Sequence, residues 1–158
     1  MLLVNDVRWL DEREERAWRA LQFMQMRLEA ALARQLAAES GLSYADYLVL
    51  IALTDHPNSR LRLFELGELL GWEKSRLSHH VGRMVERGLV TKERCDSDRR
   101  GSFVVVTKKG RREIALAAPG HVRIVRRLFI DRLTPDELDV IASAAERVLA
   151  ELEPASSS

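Results

Sequence analysis

Between Arg62 and Thr107 the chain reads RLFELGELLGWEKSRLSHHVGRMVERGLVTKERCDSDRRGSFVVVT, and that pattern admits few folds. A first helix, about Leu63 to Leu70, sets Leu63, Leu66, Leu69 and Leu70 on one apolar stripe. It ends at Gly71, whose missing Cβ allows the left-handed backbone of a helix C-cap. A second helix, about Lys74 to Arg87, repeats Leu77, Val81, Met84 and Val85 at helical spacing, which predicts that they face the core. Gly67 is small enough to let the two helices approach closely, as a helix-turn-helix requires. Turning about 100° per residue from Leu77 puts Ser75, His79, Gly82, Arg83 and Glu86 on the opposite face, flanked by Arg76 and Ser78. Strand-like runs follow at Leu89 to Cys95 and Ser102 to Thr107, joined by the turn-rich Asp96-Ser97-Asp98-Arg99-Arg100-Gly101. A helix that offers donors and cations to a major groove, then a ribbon that offers arginine to a minor groove, is a winged helix-turn-helix.

Charge is distributed to match. Over all 158 residues the net charge is only +1, but residues 1–72 carry 8 Lys or Arg against 11 Asp or Glu, a net −3. Residues 73–113 carry 12 against 6, a net +6, and residues 114–158 carry 5 against 7, a net −2. Positive charge is thus concentrated on the second helix and the wing, where attraction to a phosphate backbone would need it.

The flanks predict long helices. From about Asn5 to Ala38, Val7, Leu10, Ala17, Leu21, Met24, Leu28, Leu32 and Leu36 recur at mostly three- and four-residue steps. A helix of that length spans about 50 Å, longer than a domain of this size, so much of its stripe needs another surface. Ser43 caps a following helix that is nearly apolar to Thr54 and forms the buried centre. Arg60-Leu61-Arg62 can add a third strand to the wing sheet. After Thr107 another helix runs through Ile114, Leu116, Val122, Val125 and Leu128, with an interruption and kink expected at Pro119-Gly120. Thr134-Pro135-Asp136-Glu137 is a capping box with proline at the first helical position. The helix it opens carries a coiled-coil-like seam of Leu138, Ile141, Ala145, Val148 and Leu152. Unsatisfied stripes at both ends predict a twofold homodimer.

The run from the first helix of the motif through the wing, ending DRRGSFVVVTKKG, resembles the MarR family of bacterial transcription regulators. The wing of that family typically reads Asp, Arg, Arg, an alternating strand, then Thr-x-x-Gly, and the similarity extends over about the whole chain. The expected fold class is mainly α with a small β wing: a winged helix-turn-helix domain flanked by N- and C-terminal dimerisation helices. Residues 1–158 form a single domain, with 5–38 and 108–153 as dimerisation helices, 43–107 as the winged helix-turn-helix and 154–158 as a disordered tail. The resemblance implies a homodimeric repressor of an inverted-repeat operator in double-stranded DNA, released by a small-molecule effector.

Ser75, Arg76, Ser78 and His79, near the front of the reading helix, are the candidates for contacts to bases, with Arg76 the strongest because a guanidinium can bond twice to a guanine edge. Lys74 and Arg83 are the candidates for phosphate. By resemblance, Arg100 enters the minor groove, Asp98 orients it and Arg99 faces phosphate. Arg16, Trp18, Tyr47 and His56 are candidate lining for an effector pocket, though their spacing equally suits core and rim.

Other function classes find little support. No Gly-rich phosphate loop, nucleophile elbow or His-carboxylate motif points to an enzyme, and no cofactor is implied. His79 and His80 project about 100° apart, so they make no two-ligand metal face. The single Cys95 excludes an internal disulfide framework, and the first helix lacks the cysteine with which some relatives sense peroxide. A redox-responsive regulator using Cys95 is one alternative, and a winged helix that docks protein without DNA is another. No apolar run reaches the roughly 18 residues of a membrane span and no secretion signal opens the chain, so a cytoplasmic location is expected. Arg100→Ala is expected to lower operator affinity strongly at physiological salt; unchanged binding in a duplex titration would remove Arg100 from the interface.

Overall fold

The computed structural model describes residues 7–94 and 101–153. Its first helix, α1 (Glu12–Glu39), begins later than the apolar spacing predicts. The Asp11 carboxylate accepts the Glu14 N–H at 2.9 Å, and the Glu14 carboxylate accepts the Asp11 N–H at 2.9 Å. This capping box fixes the start, although Val7 and Leu10 continue the periodicity upstream of it. Asn5 and Asp6 lie outside the described residues.

A second capping box, between Ser43 and Asp46, opens α2 (Tyr44–Thr54), whose Val49, Leu50 and Leu53 are fully buried. A short turn at Pro57–Ser59 leads to β1 (Arg60–Arg62), and the chain passes directly into α3 (Leu63–Leu70). Gly71 terminates α3 at φ 65°, ψ 30°, the left-handed cap that its sequence position predicts. Across the turn, a Cβ on Gly67 would come within 3.2 Å of Leu77 Cδ2, so the small residue is what lets α3 lie against α4 (Lys74–Glu86). One assignment to the core needs correction, at Val85, and Leu69 of the α3 stripe stands outside the core. Leu69 is 65% exposed and Val85 38% exposed, because an eight-residue α3 and the α4 stripe each present only a narrow line to the core. Leu66 fills that place on α3, and Leu77, Val81 and Met84 fill it on α4.

β2 (Val90–Arg94) and β3 (Ser102–Val106) form the wing with β1, in the antiparallel order β1-β3-β2. Leu61 stands opposite Val104 and Val90 opposite Val106, so the buried part of the sheet is aliphatic. The third strand foreseen at Arg60-Leu61-Arg62 is therefore present.

α5 (Lys108–Leu128) runs without a break through Pro119, contrary to the predicted interruption. Proline forfeits one backbone bond of a 21-residue helix, and the adjoining Gly120 is buried against Gln35 and Glu39 of α1, which supports the helix there. α6 (Pro135–Leu152) starts at the expected Thr134–Glu137 capping box. Leu36, Leu50, Leu53, Leu66, Leu77, Met84, Val104 and Ile114 bring α1 to α5 and the sheet into one core. By contrast, Trp18, Phe23, Leu116, Val122, Val140, Val148 and Leu152 are exposed on α1, α5 and α6.

The Thr-x-x-Gly after the wing is a joint. Thr107 Oγ1 accepts the Gly110 N–H at 3.0 Å as N-cap of α5 and donates at 2.6 Å to the Gly88 carbonyl. Gly110 lies directly on the Leu89 backbone, where a Cβ would run into the Leu89 carbonyl oxygen. Backbone cannot yield as a flexible side chain can. Gly110→Ala is therefore expected to lower folding stability by about 1 to 3 kcal/mol through overpacking, measurable as a reduced urea midpoint with an unchanged slope.

Candidate nucleic-acid interface

The outward face of α4 is built by what its inward face buries. Leu77, Val81 and Met84 are at most 1% exposed, which fixes the rotation of the helix. Lys74, Ser75, Arg76, His79, Arg83 and Glu86 are then exposed, and Ser78 and Gly82 half-buried. All six residues proposed from the sequence on this helix thus lie at or beside one surface. Nothing lies within 4 Å of a Cβ built on Gly82, so that part of the face is open.

Two of the guanidinium groups are held. Arg76 Cζ sits 4.3 Å from the centroid of the Trp72 ring, a cation–π contact from the first turn of α4 back to the α3–α4 turn. Arg83 Nη2 stands 3.2 Å from His80 Nδ1. His80 itself is a residue that the sequence reading considered only as a metal ligand. It is 8% exposed, with Nε2 3.0 Å from Asp46 Oδ1. That contact is out of line for an ideal hydrogen bond, but neither atom has another partner.

Asp46 is fully buried and gathers three groups at one carboxylate. Besides His80, its Oδ2 accepts the Ser43 N–H at 2.9 Å and Arg87 Nη1 at 2.7 Å. Arg87 Nη2 also donates to the Gly41 carbonyl at 2.9 Å, so this arginine ties the end of α4 to the α1–α2 turn. Burial opposes ionisation of Asp46, but His80, the Ser43 N–H and Arg87 outweigh it and hold the carboxyl well below the usual range. The sequence signal for this tie was Ser43-x-x-Asp46, legible there only as a helix cap.

At the wing, Arg60 Cζ lies 3.8 Å over the Phe103 ring and Arg60 Nη1 3.6 Å from Glu93 Oε2, which stiffens the sheet behind the tip. Asp98, Arg99, Arg100 and Cys95 lie outside the described residues. Of the candidate effector residues, Tyr47 is buried with its ring 4.2 Å from that of His121, while Arg16, Trp18 and His56 are exposed. A cleft between α1 and α5, lined by Arg34, Gln35, Glu39, Arg123, Ile124 and Arg127 among others, includes none of the four. Among the described residues no group of three or more His, Cys, Asp or Glu could hold a metal, and no single helix is long and apolar enough to cross a membrane.

Residues 40–101 match the sequence profile of the MarR family. The chain is 38% identical to AbsC, a MarR family transcriptional regulator from Streptomyces coelicolor, covering 92% of this chain and 98% of that one with a TM-score of 0.84. The chain belongs to the MarR family. Another Streptomyces coelicolor MarR family regulator, Sco3205, solved in complex with DNA, is 36% identical with a TM-score of 0.87, covering 96% of this chain and 94% of that one. The organic hydroperoxide resistance transcriptional regulator of Bacillus subtilis is 27% identical over 111 residues, 69% of this chain and 71% of the relative. These MarR-family relatives are transcriptional regulators, and the helical architecture with a small antiparallel wing is theirs as well.

The Asp46 cluster has a pH signature. A carboxyl whose folded pKa is lowered from 3.8 contributes stability that is complete above that value and lost as pH falls below it. Asp46→Asn is expected to flatten the acid limb of the stability curve. Asp46→Ala is expected to cost about 3 kcal/mol at neutral pH, from the lost cap and charged hydrogen bonds. Chemical denaturation between pH 2 and 7 reads both.

Proposed function

We propose that this MarR-family chain is a cytoplasmic repressor that binds an inverted-repeat operator as a twofold homodimer. The observation that carries the reading is the face of α4: cations and short donors outward, aliphatic side chains inward, beside a basic wing. Two such helices in successive major grooves stand about 34 Å apart, one turn of duplex. Ser75, Arg76, Ser78 and His79 face the bases, and Lys74 and Arg83 the phosphates. At the wing, Arg100 enters the minor groove, Asp98 orients it and Arg99 meets phosphate. The DNA complex of the Sco3205 relative supports this use of the fold.

Dimerisation is supported by the apolar side chains exposed near both chain ends. Trp9, Trp18 and Phe23 at the N-terminal side and Val140, Val148 and Leu152 on α6 are each more than half exposed in one chain. Large apolar side chains exposed in this number mark an interface. A small-molecule effector acts on such a dimer by binding one separation of its two α4 helices more tightly than the other. We assign the chain no catalytic step.

The test is selection of bound duplexes from genomic DNA by the purified protein, followed by titrations at several salt concentrations. Sedimentation at micromolar concentration is expected to give a dimer, and the selected duplexes a palindromic site. Arg76→Ala is expected to cost about 1 to 3 kcal/mol at one base pair and relax the preference there, whereas Lys74→Ala weakens all sequences alike and lowers the salt slope by about one. A monomer on and off DNA, or duplex binding that ignores salt, would overturn the reading.

A further inference from the structure

A histidine on the buried face of a reading helix is costly unless both ring nitrogens are satisfied. His80 meets a different group at each ring nitrogen. Its Nδ1 is 3.2 Å from Arg83 Nη2, and its Nε2 is 3.0 Å from Asp46 Oδ1. A guanidinium has only donors, so Nδ1 must accept, and the one ring proton resides on Nε2, facing the carboxylate. Arg83 and Asp46 together therefore dictate the tautomer. The carboxylate in turn is fixed by the Ser43 N–H and by Arg87.

On its other side the His80 ring meets the Trp72 ring edge-on, at 5.6 Å between centroids and 89° between planes. Trp72 carries Arg76 over its face at 4.3 Å. Two exposed guanidinium groups, Arg76 and Arg83, are thus both referenced to one buried imidazole. An exposed arginine normally loses rotamer freedom when it docks, and one already held loses less.

We infer that His80 is a positioning residue for DNA binding: anchored on Asp46, it offers Nδ1 as the acceptor that holds Arg83 toward the duplex and its ring as the support for Trp72 beneath Arg76. The inference rests on the proposed interface, and adds to it a residue that does not touch DNA. It also explains why a polar side chain occupies a helix face otherwise made of Leu77, Val81 and Met84.

The test is a cycle of operator titrations over a range of salt with wild type, His80→Gln, Arg83→Ala and the double variant. Gln keeps an N–H that reaches Asp46 but removes the acceptor at Nδ1. His80→Gln is expected to weaken operator binding about tenfold and to lower the salt slope by about one phosphate contact. Arg83→Ala is expected to lower the slope equally, and the double variant to lower it no further, since the support of Trp72 beneath Arg76 adds to affinity but not to the phosphate count. His80→Asn, which keeps an acceptor near the Nδ1 position, is expected to retain the wild-type slope, and serves alone should His80→Gln not fold. Wild-type affinity and slope in His80→Gln, slope losses that add in the double variant, or a lowered slope in His80→Asn would overturn the inference. Failure of the wild-type protein to bind any duplex would instead sink the interface reading beneath it.

Discussion

The domain depends on how α4 is seated. Leu77, Val81 and Met84 are driven into the core formed with α2, α3 and the sheet, and that burial leaves the helix no rotational choice. Its polar side then faces out by necessity. Apolar packing alone is nearly indifferent to small slips along the axis, whereas the Asp46 carboxylate is not. It holds His80 in the middle of α4 and Arg87 at its end, and a slip of one residue would strand a buried charge. Burial sets which face is presented, and the ion-pair cluster sets the register at which it is presented.

Three ties close the loop between the end of α4 and the rest of the chain. Arg87 reaches back to Gly41, Lys109 Nζ donates to the Arg87 carbonyl at 2.8 Å, and Thr107 bridges Gly88 and Gly110. The wing is thus inserted between two points that are fixed to each other, because β2 leaves and β3 returns at the same place. This arrangement lets a short antiparallel ribbon project from the body while its base stays in the core at Val90, Val104 and Val106.

Much of this was legible in the residues, and what was not has identifiable causes. Leu77, Val81 and Met84 repeat at 3.6-residue spacing, so the rotation of α4 could be read directly. Gly71 and the Thr134 box mark boundaries by chemistry that acts locally. Periodicity failed where a local cap competed with it: Val7 and Leu10 keep the apolar rhythm, yet Asp11 and Glu14 start the helix after them. At Pro119 the opposite happened: the apolar rhythm runs through, and the expected proline break does not occur because tertiary support from α1 outweighs one lost backbone bond. His80 was misjudged for a different reason. Its role requires Asp46, 34 positions away, and spacing along one helix carries no information about a partner on another. The wing-tip assignments, Asp98, Arg99 and Arg100, rest on resemblance and lie outside the described residues.

The joint at Gly110 has a mechanical consequence. Because α5 begins flush against Leu89 with no slack, it behaves as a stiff arm clamped to the tail of α4. Its 21 residues span about 30 Å. On an arm of that length a tilt of about 5° about its far end displaces the clamped end by roughly 3 Å, several times the few tenths of an ångström that a hydrogen bond tolerates. A modest rocking of α5 therefore carries the tail of α4 with it, with no change in the fold of either helix.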